Sequence, residues 1–448
     1  MATTLTCRCG VAPVSTTLPF TCALRGQDPG EHVLVRRLDA PLALPTGTPE
    51  GNPFLRYRHR LHSYTRALAA GWDDARFVAM VERLDAAVAR VDGGGFRVTP
   101  IAQQAALAGA CGHGGPLWVK DETGNVSGSH KARHLMGVAL HLEVADVPRD
   151  TPLAIASCGN AALAAAVVAH AAGRPLQVYI PSDANPAVVA RLEALGCALN
   201  VCQRSASTPP GDPCYHGFVA AVAAGALPFT CQGPDNGLTI EGGMTLGWEL
   251  AEQLRGSQLE TLFVQVGGGA LASGVVAGLQ EAVDAGDLAL LPRLMLVQTR
   301  AAWPLARAYH AVVERIGAGL LLPPPGFERT EDLARQFEGP VVQDSLAWAR
   351  GHRSELMWPW EQAPHSVAHG ILDDETYDWY AAVVGMLRSG GEPVVVDEPT
   401  LIHANALARE HTTIPVDPTG SSGLAGLLAH DNTLEGEAAG VLFTGVER

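Results

Sequence analysis

From residue 152 onward, short apolar runs alternate with stretches of helical period, and this alternation organises the rest of the chain. Residues 152–156 read as a strand, 160–172 as a helix, 176–180 as a strand, 186–195 as a helix and 198–202 as a strand. The same pitch returns with a helix over 242–254, a strand over 261–266, a helix over 271–283 and a strand over 293–298. Further on, 393–396 reads as a strand, 399–409 as a helix, 417–420 as the opening of another helix and 440–444 as a final strand. Strands separated by helices of this length are parallel strands joined by crossover helices. The fold class expected is therefore α/β: two α/β units with largely parallel sheets and a cleft between them.

Ahead of this region the pattern is helical, over 54–70 and 73–91, and the second stretch puts Val78, Val81, Leu84, Ala87 and Val88 on one face. Gly93, Gly94 and Gly95 break it and mark the first boundary. The division expected is an N-terminal extension over 1–95, a large unit made of 96–148 and 245–448, and a small unit over 149–244. Residues 321–326 read as a proline-rich loop and 359–374 as irregular chain, and there is no internal repeat. A length of 448 residues accommodates two or three such units with ample core.

Composition narrows the function. With 47% apolar and 17% charged residues the chain is an ordinary globular protein. A formal net charge of −15, without clustered Lys and Arg, argues against a nucleic-acid partner. The longest apolar stretch, 161–173, is short and interrupted by His170, so no membrane span is expected. The N-terminus lacks the basic and apolar blocks of a secretory signal, and a cytoplasmic location is the expectation. Nine cysteines are an odd count and read as reduced thiols. Cys7, Cys9 and Cys22 are close enough in sequence to raise a metal site. A fourth ligand at usual spacing is missing, however, and His32 is a weak substitute, so plain thiols and no metal are expected.

Three stretches could carry chemistry. Residues 120–137 place Lys131 just after a glycine- and serine-rich turn, at the head of an apolar helical run. Gly267-Gly268-Gly269-Ala270 directly follows the apolar run 262–266 and opens a helix, where uncrowded backbone NH groups and the helix dipole make an anion site suited to a phosphate. It is not a dinucleotide fingerprint, because the GxGxxG spacing is absent. Ser157-Cys158-Gly159-Asn160 occupies the corresponding strand-to-helix turn of the earlier unit, where Asn160 either caps the helix or points its amide at a ligand. Taken singly, each has a plain reading: a solvated lysine, a tight turn, a cap.

Taken together they form an ordered set. Thr99-Pro100, Lys120-Asp121-Glu122, Ser127-Gly128-Ser129-His130-Lys131, the 157–160 turn, Glu241-Gly242-Gly243, the 267–270 turn, Ser366-Val367-Ala368-His369-Gly370, Asp417-Pro418-Thr419-Gly420 and Leu442-Phe443-Thr444-Gly445 follow one another along residues 96–448. This succession resembles the fold-type II pyridoxal-phosphate enzymes, the family of threonine synthase, the serine and threonine dehydratases and the tryptophan synthase β subunit. The resemblance implies a tryptophan synthase β-like fold with pyridoxal 5′-phosphate held in the large unit. Lys131 would form the Schiff base and move the α proton. The amides of Gly267, Gly268, Gly269 and Ala270 would bind the phosphate, and Asn160 the ring 3′ oxygen. Ser157, Cys158 and Gly159 would present backbone NH groups to a substrate carboxylate, and Thr444 would face the pyridine nitrogen.

A neutral hydroxyl at that last position makes the ring a weaker electron sink, which favours loss of a β substituent over transamination. The activity implied is that of a lyase performing α,β-elimination on a β-substituted hydroxy amino acid, giving a 2-oxo acid and ammonia. The alternatives are a threonine-synthase-like or β-replacement enzyme and, third, a non-catalytic amino-acid or cofactor binding protein. The partner expected is a small amino acid, and a homodimer is expected.

The chain departs from the pattern at two positions. His130 stands where relatives usually carry Phe, as in the tryptophan synthase β subunit, and would pack on the cofactor or bond its phosphate. His369, where dehydratases usually carry Asp, is a candidate for substrate contact. Glu122, Glu241 and His365 are further candidates, whereas Asp373 and Asp374 read as a solvated pair or helix cap.

Overall fold

The structure, a computed structural model, describes residues 3–48, 50–203, 211–257, 259–320, 330–430, 434 and 436–447; the proline-rich loop expected at 321–326 lies outside them. The described residues contain twelve strands in chain order: β1 (Thr3–Cys7), β2 (Leu34–Leu38), β3 (Ile101–Gln103), β4 (Leu117–Asp121), β5 (Leu153–Ala156), β6 (Leu176–Pro181), β7 (Ala198–Cys202), β8 (Leu227–Pro228), β9 (Thr261–Gln265), β10 (Arg293–Thr299), β11 (Pro393–Val396) and β12 (Ala439–Phe443).

They form three sheets. A six-stranded sheet has the order β11-β10-β9-β12-β4-β3, a four-stranded sheet β7-β6-β5-β8, and β1 pairs β2 in a separate ribbon. Every pairing in the four-stranded sheet is parallel, and in the six-stranded sheet only the β3 edge is antiparallel. The α/β reading with largely parallel sheets therefore stands. The small sheet is drawn from residues 153–228, and the large one from two separated parts of the chain, 101–121 and 261–443.

The strand-helix alternation translates almost residue for residue: β7 spans the expected 198–202, and the helices after β5, β6 and β9 are Asn160–Ala171, Pro186–Ala194 and Ala270–Asp284. The expected helix over 54–70 instead breaks into Pro53–Arg56, a 3-10 turn Arg58–Arg60 and His62–Ala69. Leu61 turns extended, φ −78° and ψ 136°, and buries its side chain completely, so burial overrides helical continuity. Residues 417–420 form a loop, and the helix they were expected to open starts later, at Ser422–Ala429.

The helix expected from 242 starts earlier, as Leu238–Gln253, so Glu241-Gly242-Gly243 lies inside it, and its residues 238–252 are all buried. That helix packs between the helices Lys131–Val144 and Ala270–Asp284. The packing requires bare glycines: a Cβ at Gly137 would come 3.0 Å from the Cα of Gly242, and one at Gly278 2.9 Å from that of Gly247.

The N-terminal ribbon is locked to this helix layer by charge. The Arg36 guanidinium on β2 forms an ion pair with Glu241, at 3.2 Å, and donates to Glu281, and Arg60 reaches Glu281 at 3.2 Å. Glu241 also accepts from the backbone NH of His62 at 2.6 Å. Cys7, Cys9 and Cys22 are free thiols, as expected, but the fold brings all three together with His32, the weak substitute for a fourth ligand.

Candidate active site

The Lys131–Val144 helix starts at Lys131 because the chain before it is forced to turn. Ser127 and Gly128 both adopt left-handed backbone, φ 57° and 66°, a conformation uncommon for a serine, and Asn125 Nδ2 clamps the turn by donating to Ser129 O at 2.9 Å. Two residues into the helix, Arg133 enters a fully buried charge network. Its Nε donates to Glu122 at 2.7 Å and its Nη1 to Glu249 at 2.6 Å, and Lys120 Nζ donates to Glu249 at 2.7 Å. All four side chains are 0% exposed, and Thr99 bonds both carboxylates. Burial alone would raise the Glu249 carboxyl, but Arg133 and Lys120 outweigh it and hold the group below its usual range. Two cations and two anions thus cancel in a dry site and fix the helix turn that presents Lys131. Glu122, a candidate substrate contact in the sequence, is one member of this network, and Glu241 sits in the equally buried Arg36 pair; both are structural.

His130, just ahead of Lys131, is buried at 7% exposure, and neither ring nitrogen makes a hydrogen bond of normal geometry. Its ring meets His134 edge-on at 5.6 Å, and the main chain of Thr444 faces it. Burial, reinforced by the neighbouring Lys131, keeps the imidazole neutral, well below its ordinary range. A buried imidazole with no partner of its own is a group waiting for one.

The 267–270 turn after β9 opens the Ala270–Asp284 helix through Gly269, at φ 96°. Segment 371–378 docks directly onto it. Thr376 Oγ1 donates to Gly267 O at 2.9 Å, Asp378 N donates to Gly268 O at 3.0 Å, and a Cβ on Gly267 would come 2.9 Å from the Cα of Ile371. The Asp373 carboxyl stands beside Gly267 and Gly268, and burial raises its pKa, opposed in part by the Lys131 charge and the Gly268 amide. Asp373 belongs to this site and not to a solvated pair, a place that its sequence neighbourhood does not reveal. Asp378, buried beside Glu31 and in reach of the Lys131 charge, is pushed up to about 8.

Thr444, just past β12, is 3% exposed and accepts from Gln265 Nε2 at 2.6 Å. The same nitrogen donates to Gly420 O at 2.9 Å and Leu442 O at 3.0 Å. Carbonyl oxygens only accept, so the amide orientation is fixed, and an amide nitrogen cannot accept. The hydroxyl hydrogen of Thr444 must point elsewhere. Gln265 went unnoticed in the sequence because, inside an apolar strand, nothing local marks it.

At the β5 turn, Asn160 is the first helical residue. The cap position belongs to Gly159, which makes no side-chain cap, so the capping reading of Asn160 does not apply. The Ser157 amide donates to Tyr179 O at 3.2 Å, and Gly159 N to Ser157 Oγ at 3.4 Å, leaving the exposed Cys158 as the outermost part of the turn. Burial raises the Cys158 thiol, with the charges of Asp183, Asp212 and Asp373 adding to it. His365 and His369 are exposed; His369 opens the 3-10 turn His369–Ile371, whose last residue packs on Gly267. Two clefts border the region. One, of about 670 Å³, is lined by the turn before His130, and the other, of about 430 Å³, by Tyr377 and Asp374 together with Arg25 and Glu31. Lys131 is half-buried and lines neither.

Comparison with known proteins agrees with this geometry. The profile of the family described as "Pyridoxal-phosphate dependent enzyme" matches residues 94–344. The serine dehydratase-like protein of Rattus norvegicus is 31% identical over 195 residues, 41% of this chain and 53% of that protein, so the chain spans about half the length of the curated relatives it matches. Maize serine racemase shares the fold at a TM-score of 0.57 and 19% identity, covering 82% of this chain and 92% of the other. The processed form of threonine deaminase isoform 2 from Solanum lycopersicum does so at 0.57 and 15%, covering 90% and 96%. Among the described residues, no helix is long and apolar enough to cross a membrane.

Proposed function

The chain belongs to the family of pyridoxal-phosphate dependent enzymes, and from that premise we propose that it is a lyase acting on a small β-hydroxy amino acid. The reaction would eliminate the β substituent and release a 2-oxo acid and ammonia. The residues present fit the cofactor. The 267–270 turn carries no side chain larger than the Ala270 methyl, neither ring nitrogen of the buried His130 makes a hydrogen bond of normal geometry, and Thr444 has a hydroxyl hydrogen to give.

When bound, pyridoxal 5′-phosphate withdraws electrons from an attached amine and so acidifies its α C–H bond. Lys131 would hold the cofactor and, once its amine is free, take that proton. The amides of Gly267, Gly268, Gly269 and Ala270 would bind the phosphate at a helix N-terminus. The Asp373 carboxyl beside this turn, its pKa raised by burial, would be the group to protonate a departing hydroxyl. Cys158, Gly159 and the Ser157 hydroxyl border the space for a substrate carboxylate, Asn160 would meet the ring oxygen, and His369 lies at the rim.

The observation that carries the choice of reaction is the Gln265–Thr444 bond. It leaves Thr444 as a neutral donor, unable to supply the full positive charge that a long-lived carbanion would need. Prompt loss of the β substituent is the outcome suited to that limit.

The experiment is to incubate holoenzyme with serine, threonine and O-phosphohomoserine while following 2-oxo acid, ammonia and phosphate. The lyase reading expects 2-oxo acid and ammonia from serine or threonine. Phosphate release with threonine formation would overturn it in favour of the threonine-synthase-like alternative. Lys131→Ala should abolish both turnover and the visible absorbance of the lysine-bound cofactor.

A further inference from the structure

We infer that Cys7, Cys9, Cys22 and His32 form a structural zinc site that ties the N-terminal ribbon to the rest of the molecule. Their four potential ligand atoms all lie within 4.8 Å of one another. Cys9 Sγ is 3.6 Å from Cys22 Sγ, and His32 Nδ1 is 3.6 Å from Cys22 Sγ and 3.8 Å from Cys7 Sγ. A tetrahedron with Zn–S of about 2.3 Å and Zn–N of about 2.0 Å has edges of roughly 3.5–3.8 Å. Three of the observed separations already have those lengths, so an ion would need only a small contraction of the remaining edges. Three thiolates and one imidazole are a closed structural donor set with no open coordination position, and the soft sulfur ligands select zinc over magnesium or calcium.

Two further observations point the same way. His32 Nε2 bonds Asp28 Oδ1 at 2.6 Å, which places the ring proton on that side and turns the Nδ1 lone pair toward the sulfurs. A carboxylate behind a histidine is the usual outer partner of a metal-bound imidazole. The backbone NH groups of Cys9 and Leu24 point at the sulfurs of Cys7 and Cys22, each at 3.5 Å, as donors to thiolate ligands do.

The local fold also requires a staple. Residues 8–33 contain no helix and no strand, only the isolated bridge Pro13–Cys22; Phe20 anchors them in the main core, and the apolar cluster around the sulfurs has Cys7, Cys22 and Leu34 as its buried members. A structureless stretch of this length is uncommon in a compact domain, and so small a core does not fix it. What the staple would hold is consequential. Glu31, next to His32, accepts from Trp379 Nε1 at 2.9 Å, and the neighbouring Asp378 amide grips Gly268 O in the phosphate turn. The zinc would thus position the turn through a chain of direct contacts without touching cofactor or substrate.

The test uses the purified holoenzyme, prepared without chelator from zinc-supplemented cells. Metal analysis should give one zinc per chain. Cobalt replacement should produce visible tetrahedral bands and a near-ultraviolet thiolate charge-transfer band. Cys9→Ser, at the least buried ligand, should abolish the stoichiometric zinc while the cofactor absorbance remains. Asp28→Ala should weaken zinc affinity by about 10–100-fold. An unmodified chain that is folded and cofactor-loaded without zinc, a Cys9–Cys22 disulfide in it by mass spectrometry, or full zinc retention in Cys9→Ser would each overturn the assignment. Should Cys9→Ser fail to fold, the cobalt spectrum of the unmodified chain decides: absence of the thiolate band refutes the site.

Discussion

Replacing Glu249 by Gln should be among the most damaging single changes that touch neither cofactor nor substrate. The carboxylate accepts from Lys120 Nζ at 2.7 Å, from Arg133 Nη1 at 2.6 Å and Nη2 at 3.1 Å, and from Thr99 N at 3.1 Å. Removing its charge leaves Lys120 and Arg133 facing Glu122 alone, one uncompensated cation in a site with no exposure. Breaking a buried pair from one side costs about 3–5 kcal/mol, because the stranded charge keeps its desolvation penalty. Lys120→Met strands a carboxylate in the same way. The double variant Glu249→Gln with Lys120→Met restores neutrality. Arg133 keeps its two-pronged bond to Glu122, Nε–Oε2 at 2.7 Å and Nη2–Oε1 at 2.9 Å, and the amide oxygen of the introduced glutamine still offers an acceptor. The double variant should therefore recover about 2 kcal/mol or more relative to the sum of the singles, within the range measured for contacting residues. Urea unfolding of the four proteins, followed by tryptophan fluorescence and by cofactor absorbance, makes the comparison. Strictly additive losses, or a Glu249→Gln penalty under about 1 kcal/mol, would refute the picture of a mutually neutralised network.

Other outcomes follow from single contacts. Gln265→Leu removes the donor that orients Thr444 and should lower kcat about tenfold, the scale of one buried hydrogen bond, with a shifted pH dependence of cofactor absorbance; an unchanged kcat would detach Thr444 from the chemistry. Asp373→Asn removes a competing carboxylate from the phosphate turn, and titration of apoenzyme with pyridoxal phosphate should show about tenfold tighter binding; weaker binding would contradict it. Burial pushes the Glu241 carboxyl up to about 7 from an ordinary 4.5. The folded state keeps a proton there that the unfolded state has lost, so this group's contribution is full below pH 4.5 and falls away as pH rises toward 7, by at most about 1.4 kcal/mol per pH unit. In Glu241→Gln the decline in urea midpoint between about pH 5 and 7 should be shallower than in the unmodified chain, and an identical decline would remove Glu241 from the account.

What could be read in the sequence was what is local. The strands and helices of residues 153–202 and 261–299 follow from runs of alternating period whose neighbours in sequence are also neighbours in space. The 267–270 turn and Lys131 were legible because glycine and helix-start chemistry act over a few consecutive residues. Gln265 and Asp373 were not, since their meaning depends on partners at Thr444 and Gly268, 179 and 105 positions away in the chain. The helices Pro304–Gly319, Pro340–Gly351 and Trp379–Ser389 escaped because no strand separates them and the strand-helix rhythm falls silent. The glycines at 242 and 243 carry no local mark of their role, which is close contact with the Lys131–Val144 helix: a Cβ at 242 would meet the Arg133 backbone and one at 243 the His134 ring.

The same distinction changes how the N-terminal extension is understood. On sequence it is a separable segment ending at a glycine run, yet its charges complete the core of the large unit. Glu241 and Glu281 lie on two helices of the central layer, and the guanidiniums that neutralise them, Arg36 and Arg60, come from the extension. With Arg36 or Arg60 alone removed, Glu241 at 2% and Glu281 at 15% side-chain exposure would keep Trp248 beside them and lose a cation. Stranding one side of a buried pair costs several kcal/mol, a large part of the net stability of any domain. Glu31 and Trp379 extend the dependence to the segment that covers the phosphate turn. The extension is therefore structurally inseparable from the cofactor site, and the proposed zinc would act at the point where that coupling begins.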